Sequence, residues 1–205
     1  MIPPSRTACF ALTGAALFLA SGLARPAVAA QASDWPVQRM HAPSSSLSRL
    51  SQADQAIAVK LLRPELGPLF QGDAISVLDK QIRSFRAERL NLGGSSALAV
   101  QPDGGELCGA TGNCSFWVID LSRRRVLLRA DGIQGYAVDP AKPRSVPDIV
   151  TATHESSTEY EKIHWVFLNG RYERQSCATV DYADRSGAQL PQPKVTPHSC
   201  SPEGN

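Results

Sequence analysis

A stripe of apolar residues recurs at helical spacing near the start of the folded region: Ala53, Ala56, Ile57, Val59 and Leu61. Ser51 is a suitable N-cap residue, and Asp54 three positions later gives an approximate capping box. Because the residue before a proline disfavours helical geometry, Pro64 predicts that this helix ends at about Arg63. A second, weaker helix is predicted within residues 73–85.

Beyond residue 85 the pattern changes to short apolar segments that alternate with turn signals, roughly every eight to twelve residues. Such spacing is typical of antiparallel strands joined by tight turns, and it also allows a small barrel. We therefore expect an α+β fold that is mainly β. One or two N-terminal helices should pack on an antiparallel sheet with meander or sandwich-like connections.

The clearest turn is Asn169-Gly170, since both positions of a two-residue type I′ hairpin need positive φ. The register that follows sets three pairs of residues opposite each other: Leu168 and Arg171, Phe167 and Tyr172, Trp165 and Arg174. The aromatic residues of this hairpin then share one face with Ile163, which we interpret as a core face. The third pair predicts a cation–π contact between a guanidinium and an indole.

Residues 1–30 have the layout of a secretory signal peptide. Arg6 precedes an uncharged, mostly apolar run from Ala8 to Ala24, and small residues allow cleavage after Ala29 or Ala30. A retained membrane anchor is the alternative, although the run is slightly short for a span of about 20 residues. Export with cleavage is the favoured interpretation.

The mature chain is then divided by composition. Residues 31–46 are expected to be a flexible lead-in, and residues 47–185 a single globular domain. Residues 186–205 form a tail rich in proline and serine, which Cys200 could tether to the body.

Charge in the mature chain is balanced. Removing Arg6 and Arg25 from the 21 basic residues leaves 19, which equals the number of acidic residues. A nucleic-acid-binding protein needs a basic face that displaces counterions from phosphates, so no nucleic-acid partner is expected. The run Arg123–Arg125 is better explained as a charged hairpin at a sheet edge.

Four of the five cysteines remain after cleavage: Cys108, Cys114, Cys177 and Cys200. An even number in an exported chain indicates disulfides, and four cysteines allow three connectivities. Pairing Cys177 with Cys200 would tie the tail to the domain. The other two enclose "GATGN", which lacks the spacing of a redox motif or zinc site and the lysine of a phosphate-binding loop.

A disulfide between Cys108 and Cys114 would close a short ring and stabilise the fold by roughly 2–3 kcal/mol in the chain-entropy model. Gly109 and Asn113 are typical turn residues. The ring therefore reads either as a structural staple or as a rigid loop that presents Gly109, Thr111 and Asn113 to a partner.

The segment "THESSTEYEKIH" (153–164) contains His154, Glu155 and Glu159, which suggests a metal or acid–base site. It does not match the H-E-x-x-H pattern. If Ser156-Ser157 is the turn, His154 faces Glu159 across the strands, and His154 and His164 lie on opposite faces. The segment is then a polar hairpin tip that could contact a partner.

Two segments, "LCGATGNCSFWVI" and "DIVTATHESSTEYEKIHWVFLNGRYERQSC", resemble uncharacterised small secreted proteins of Gram-negative bacteria that carry a CGATGNC element. The resemblance covers roughly residues 85–180 and implies export and a disulfide-clamped β fold, with no known activity.

Together these features predict an exported, disulfide-stabilised, non-enzymatic binding or accessory protein of the cell envelope, either periplasmic or secreted. It should need no cofactor or metal and should not insert stably into a membrane. Its expected partner is an envelope or secreted protein. The alternative is a small envelope hydrolase or metal-binding protein with its site around His154, Glu155 and Glu159.

Overall fold

The computed structural model of the chain describes residues 40–70, 74–139 and 146–200. The predicted signal peptide and the first part of the lead-in lie outside these residues. The described strands form two antiparallel five-stranded sheets, and strands adjacent in sequence are neighbours in each sheet. The first sheet contains β1 (Ser45–Ser46), β2 (Arg86–Leu92), β3 (Ser95–Gln101), β4 (Cys114–Asp120) and β5 (Arg125–Ile133). The second contains β6 (Gly135–Val138), β7 (Ile149–His154), β8 (Glu159–Leu168), β9 (Arg171–Ala183) and β10 (Gln189–His198). The mainly β, α+β meander expected from the sequence is confirmed.

Two helices, α1 (Gln52–Leu66) and α2 (Ile75–Ser84), precede most of the strands. The predicted cap is present, since the Ser51 hydroxyl accepts a hydrogen bond from the Asp54 amide at 3.2 Å. The prediction that α1 ends at Arg63 is wrong, because the helix continues through Pro64 to Leu66. A proline in the last turn removes only one backbone hydrogen bond, and the extension buries Leu66 completely.

The apolar stripe predicted for α1 lies to one side of the face that the helix buries. Of its five residues only Val59 is buried, whereas Ala53 and Ala56 are exposed and Ile57 and Leu61 are half-buried. The apolar residues that α1 buries in the core are Ala58, Val59, Leu62 and Leu66, and Ile57 and Leu61 pack against the margin of that core.

The helices, the first sheet and the second sheet form three layers with two hydrophobic cores. Between the helices and the first sheet, Trp117 and Ile119 of β4 pack against helical leucines. Between the two sheets, Phe116 and Val118 of the same strand meet Trp165 and other residues of the second sheet. The first sheet is therefore buried on both faces, which explains the unbroken apolar run of β4.

The Asn169-Gly170 hairpin has the predicted geometry. The φ angles are 50° and 89°, and the three predicted cross-strand pairs are all present. The guanidinium carbon of Arg174 lies 5.1 Å from the centre of the Trp165 indole, which confirms the predicted cation–π contact. Trp165 is fully buried, as expected for a core face.

Both predicted flexible ends contribute strands where the structure describes them. Ser45 and Ser46 pair with β2. The tail forms β10, which pairs with β9, and the Cys177–Cys200 disulfide joins β9 to the chain just beyond the end of β10. The proline-rich composition suggested irregular chain, but an edge strand bonds on one side only and therefore tolerates prolines on its free side. Neither described helix is long and apolar enough to cross a membrane.

Candidate functional site

The CGATGNC segment forms a compact ring closed by the Cys108–Cys114 disulfide. Inside the ring, the Gly109 amide donates to the Asn113 carbonyl at 2.7 Å, and the Gly112 amide donates to the Gly109 carbonyl at 2.9 Å. Gly112 has a φ of 79°, which favours glycine at this position. Gly109 and Thr111 are exposed at the tip, and Cys114, which closes the ring, is also the first residue of β4. The ring is thus a stapled turn with an exposed tip.

The hairpin between β7 and β8 differs from its predicted register by one residue. His154 lies opposite Tyr160 and not opposite Glu159. Residues 155–158 form the turn, and the Glu155 amide donates to the Glu159 carbonyl at 2.9 Å. Serine imposes no positive φ, so Ser156-Ser157 could not fix a two-residue turn in the way that Asn-Gly does.

The altered register also changes the relation between the two histidines of this hairpin. His164 lies opposite Val150, so His154 and His164 lie on the same face, contrary to the prediction. They are four positions apart along the strands, about 13 Å, which is too far for one metal ion. Among the described residues no group of three or more potential ligands is placed to hold a metal.

The central feature of the site is a pair of hydrogen bonds between the two candidate loops. The Asn113 side-chain amide donates to the His154 carbonyl at 2.7 Å, and its oxygen accepts from the His154 amide at 3.0 Å. Asn113 thus pairs with the backbone of β7 as a neighbouring strand would. This Asn113 clamp joins the disulfide ring to the β7–β8 tip as a single surface.

The His154 ring is held against aromatic residues of the second sheet. It stacks on Tyr160 with ring centres 4.8 Å apart, and Tyr160 meets Tyr182 edge-on at 5.8 Å. Both His154 ring nitrogens are buried, and neither makes a hydrogen bond to a described residue. Glu155 is exposed and Glu159 half-buried. The imidazole is therefore a packing group that also carries unused hydrogen-bonding capacity.

Two adjoining clefts flank the joined loops. One, of about 400 Å³, is lined by the disulfide ring and by the 102–105 loop. The other, of about 440 Å³, is lined by Tyr160, Tyr182 and the hairpin tip. Ala42 and Gln134 line both clefts and form the boundary between them. The disulfide ring and the β7–β8 tip thus form a ridge, with one cleft on either side.

Polar residues that line or adjoin the two clefts bring neighbouring strands together. Gln101 is buried and donates to the Ile133 carbonyl at 2.6 Å. Tyr136 is also buried, and burial, together with the nearby Glu88 carboxylate, raises the pKa of its phenol. His41 Nε2 lies 3.2 Å from the same carboxylate. Tyr136 and Glu88 thus bring β6 close to β2, and the Gln101 hydrogen bond joins β3 to β5.

The structure brings Asn113 into contact with His154 and so joins the two loops that carry the other predicted residues, but sequence reasoning missed the groups around them. Gln134, Tyr160 and Tyr182 line the clefts, yet no local motif marks them. Tyr160 could have been inferred from its place beside His154 had the register been correct. Comparison with family models, curated proteins and solved structures found no match to this chain.

Proposed function

We propose that the protein is an exported, disulfide-stabilised, non-enzymatic binding or accessory protein of the cell envelope. Its binding surface is the ridge formed by the disulfide ring and the β7–β8 tip. The expected partner is another envelope or secreted protein. The two disulfides support the exported part of the proposal, because such bonds persist in oxidising compartments.

The observation that carries the proposal is the Asn113 clamp. Two loops that are 41 positions apart are held by two hydrogen bonds of 2.7 and 3.0 Å. A loop that is already ordered loses little conformational entropy when a partner binds. The exposed Gly109, Thr111 and Glu155 project from this rigid base, so they can contact a partner without first being ordered.

The alternative, a small envelope hydrolase or metal-binding protein at His154, Glu155 and Glu159, has weaker support. The His154 ring nitrogens are buried against Tyr160 and would have to move to reach a ligand or substrate. Bound metal at one equivalent per chain, lost in His154→Ala, would favour this alternative.

The proposal can be tested by affinity capture. The bait is the oxidised mature chain, residues 31–205, incubated with the envelope fraction and medium of the producing cell. Asn113→Ala releases the clamp and retains the disulfide. Asn91→Ala is the matched control, because it removes one side-chain hydrogen bond, to the Gly94 amide, in a different hairpin.

We expect one dominant captured protein, retained by Asn91→Ala and reduced at least about tenfold by Asn113→Ala. Circular dichroism must show that both variants are folded. Capture of nothing by the folded wild-type bait would contradict the proposal, as would equal capture by the two variants.

A further inference from the structure

A groove beside α1 contains much of the apolar stripe that the sequence predicts for this helix. It has a volume of about 310 Å³ and is lined by five residues of α1 and one of the turn between β4 and β5. The lining residues are Ala53, Ala56, Ile57, Lys60, Leu61 and Arg124. Of the four apolar ones, two are exposed and two are half-buried at the margin of the core. The helix thus leaves part of its apolar stripe outside the core.

Both charged residues of this groove are cations. Lys60 and Arg124 are exposed, and neither side chain makes a hydrogen bond or an ion pair with another described residue. None of the residues three or four positions from Lys60, where a helical ion pair would form, is acidic. Among the described residues no carboxylate lines the groove. The groove therefore combines an apolar lining with a net positive charge.

The size of the groove favours a small ligand over a protein. Ligand sites usually have volumes of about 300–1,000 Å³, mainly apolar walls and a few polar or charged groups. A stable protein interface buries about 800 Å² on each partner and involves about 20–30 residues a side, far more than the six that line this groove. Ala53 and Leu61 are about 12 Å apart along the helix axis, a length that suits a single alkyl chain.

We propose that this groove binds an amphiphile with one alkyl chain and one anionic head group, which is the chemistry of a fatty acid. The alkyl chain contacts Ala53, Ala56 and Ile57, and its removal from water drives binding. The positive charges of Lys60 and Arg124 select an anionic head group over a cationic one. The groove is a different surface from the proposed binding ridge, and neither proposal depends on the other.

The direct test is a calorimetric titration of oxidised residues 31–205 with decanoate, below the concentration at which decanoate forms micelles. Decyltrimethylammonium has the same alkyl chain with a cationic head group, and acetate has the head group without the chain. We expect saturable binding of one decanoate per chain and at least about tenfold weaker binding of both comparison ligands.

Three results would overturn the proposal. The first is the absence of saturable decanoate binding, and the second is equal binding of decyltrimethylammonium. The third is binding to vesicles of anionic lipid without binding of monomeric decanoate, because the occupant would then be a membrane surface.

A matched pair of variants locates the site. Lys60→Gln should weaken decanoate binding about three- to fivefold, as expected for loss of one exposed charge contact. Lys80→Gln removes an exposed lysine from α2 and should leave the dissociation constant unchanged. Equal effects of these two variants would refute the assigned site.

A third variant separates binding from folding. Arg124 has a φ of 51°, which glycine adopts without strain. Arg124→Gly should therefore weaken decanoate binding about three- to fivefold without lowering the free energy of unfolding in urea. Unchanged decanoate binding by this folded variant would contradict the role assigned to the guanidinium.

Discussion

Replacement of Asn113 by alanine removes both hydrogen bonds of the Asn113 clamp. Each bond contributes about 1 kcal/mol net, and the partly buried amide and carbonyl of His154 lose their partners as well. We therefore expect the free energy of unfolding to fall by about 2–3 kcal/mol. For a domain of this size, that corresponds to a fall of about 4–12 °C in Tm.

The assay is equilibrium urea unfolding of oxidised residues 31–205, monitored by tryptophan fluorescence and circular dichroism. Asn91→Ala is the control, since its single exposed hydrogen bond to Gly94 should contribute only about 0.5 kcal/mol. The free energy of unfolding of the Cys108→Ser/Cys114→Ser variant should be lower than that of the wild type by roughly 2–3 kcal/mol.

Combining that variant with Asn113→Ala adds a sharper test. Both changes free the same loop, so their combined effect should be smaller than the sum of the separate effects. The reasoning is refuted if the free energy of unfolding of Asn113→Ala lies within about 0.5 kcal/mol of the wild-type value. Strict additivity with the disulfide variant would show that the clamp does not depend on the ring.

Three further predictions concern other parts of the fold. Burial raises the pKa values of Tyr136 and Tyr172, so these two phenols should resist ionisation in an alkaline absorbance titration until the protein unfolds. Stability should fall as pH rises above the unfolded value of about 10, and ionisation of these two phenols near pH 10 in the folded protein would contradict the prediction. Burial opposes ionisation of Asp120, but hydrogen bonds from Arg123 outweigh it and lower the pKa of the carboxyl. Asp120→Ala should therefore lower the free energy of unfolding by about 1–3 kcal/mol at pH 7 in urea unfolding, and the difference should shrink as pH falls below the folded pKa; a difference that is the same at both pH values would contradict this. Gly170→Ala should lower the free energy of unfolding by about 1–2 kcal/mol, because Gly170 has a φ of 89° that alanine adopts only with strain. An unchanged Tm would argue against that backbone conformation.

The parts of the fold that the sequence predicted correctly are those set by local chemistry. Asn169-Gly170 fixed a register because both residues accept positive φ. Ser51 and Asp54 fixed the start of α1 in the same local way. Ser156 has no comparable preference, so the β7–β8 register could be assigned only to within one residue.

Contacts between distant segments decided the features that could not be predicted. The face that α1 buries depends on the position of the first sheet, which places Leu62 inward and leaves Ala53 exposed. Proline content suggested an irregular tail, but pairing with β9 and the bond to Cys177 order it as β10. The Asn113 clamp joins a side chain to a backbone 41 positions away, and no local pattern encodes such a contact.

The central claim is that the joined ring and hairpin tip form the surface that a partner contacts. The most direct measurement is site-specific photocrosslinking, with a photoreactive residue at the exposed Thr111 and, as a control, at the exposed Ser84 at the end of α2. Each oxidised chain of residues 31–205 is irradiated in the producing cell's envelope fraction. The account predicts one dominant adduct from position 111 that is absent from position 84. The same adducts from both positions, or none from position 111, would contradict it.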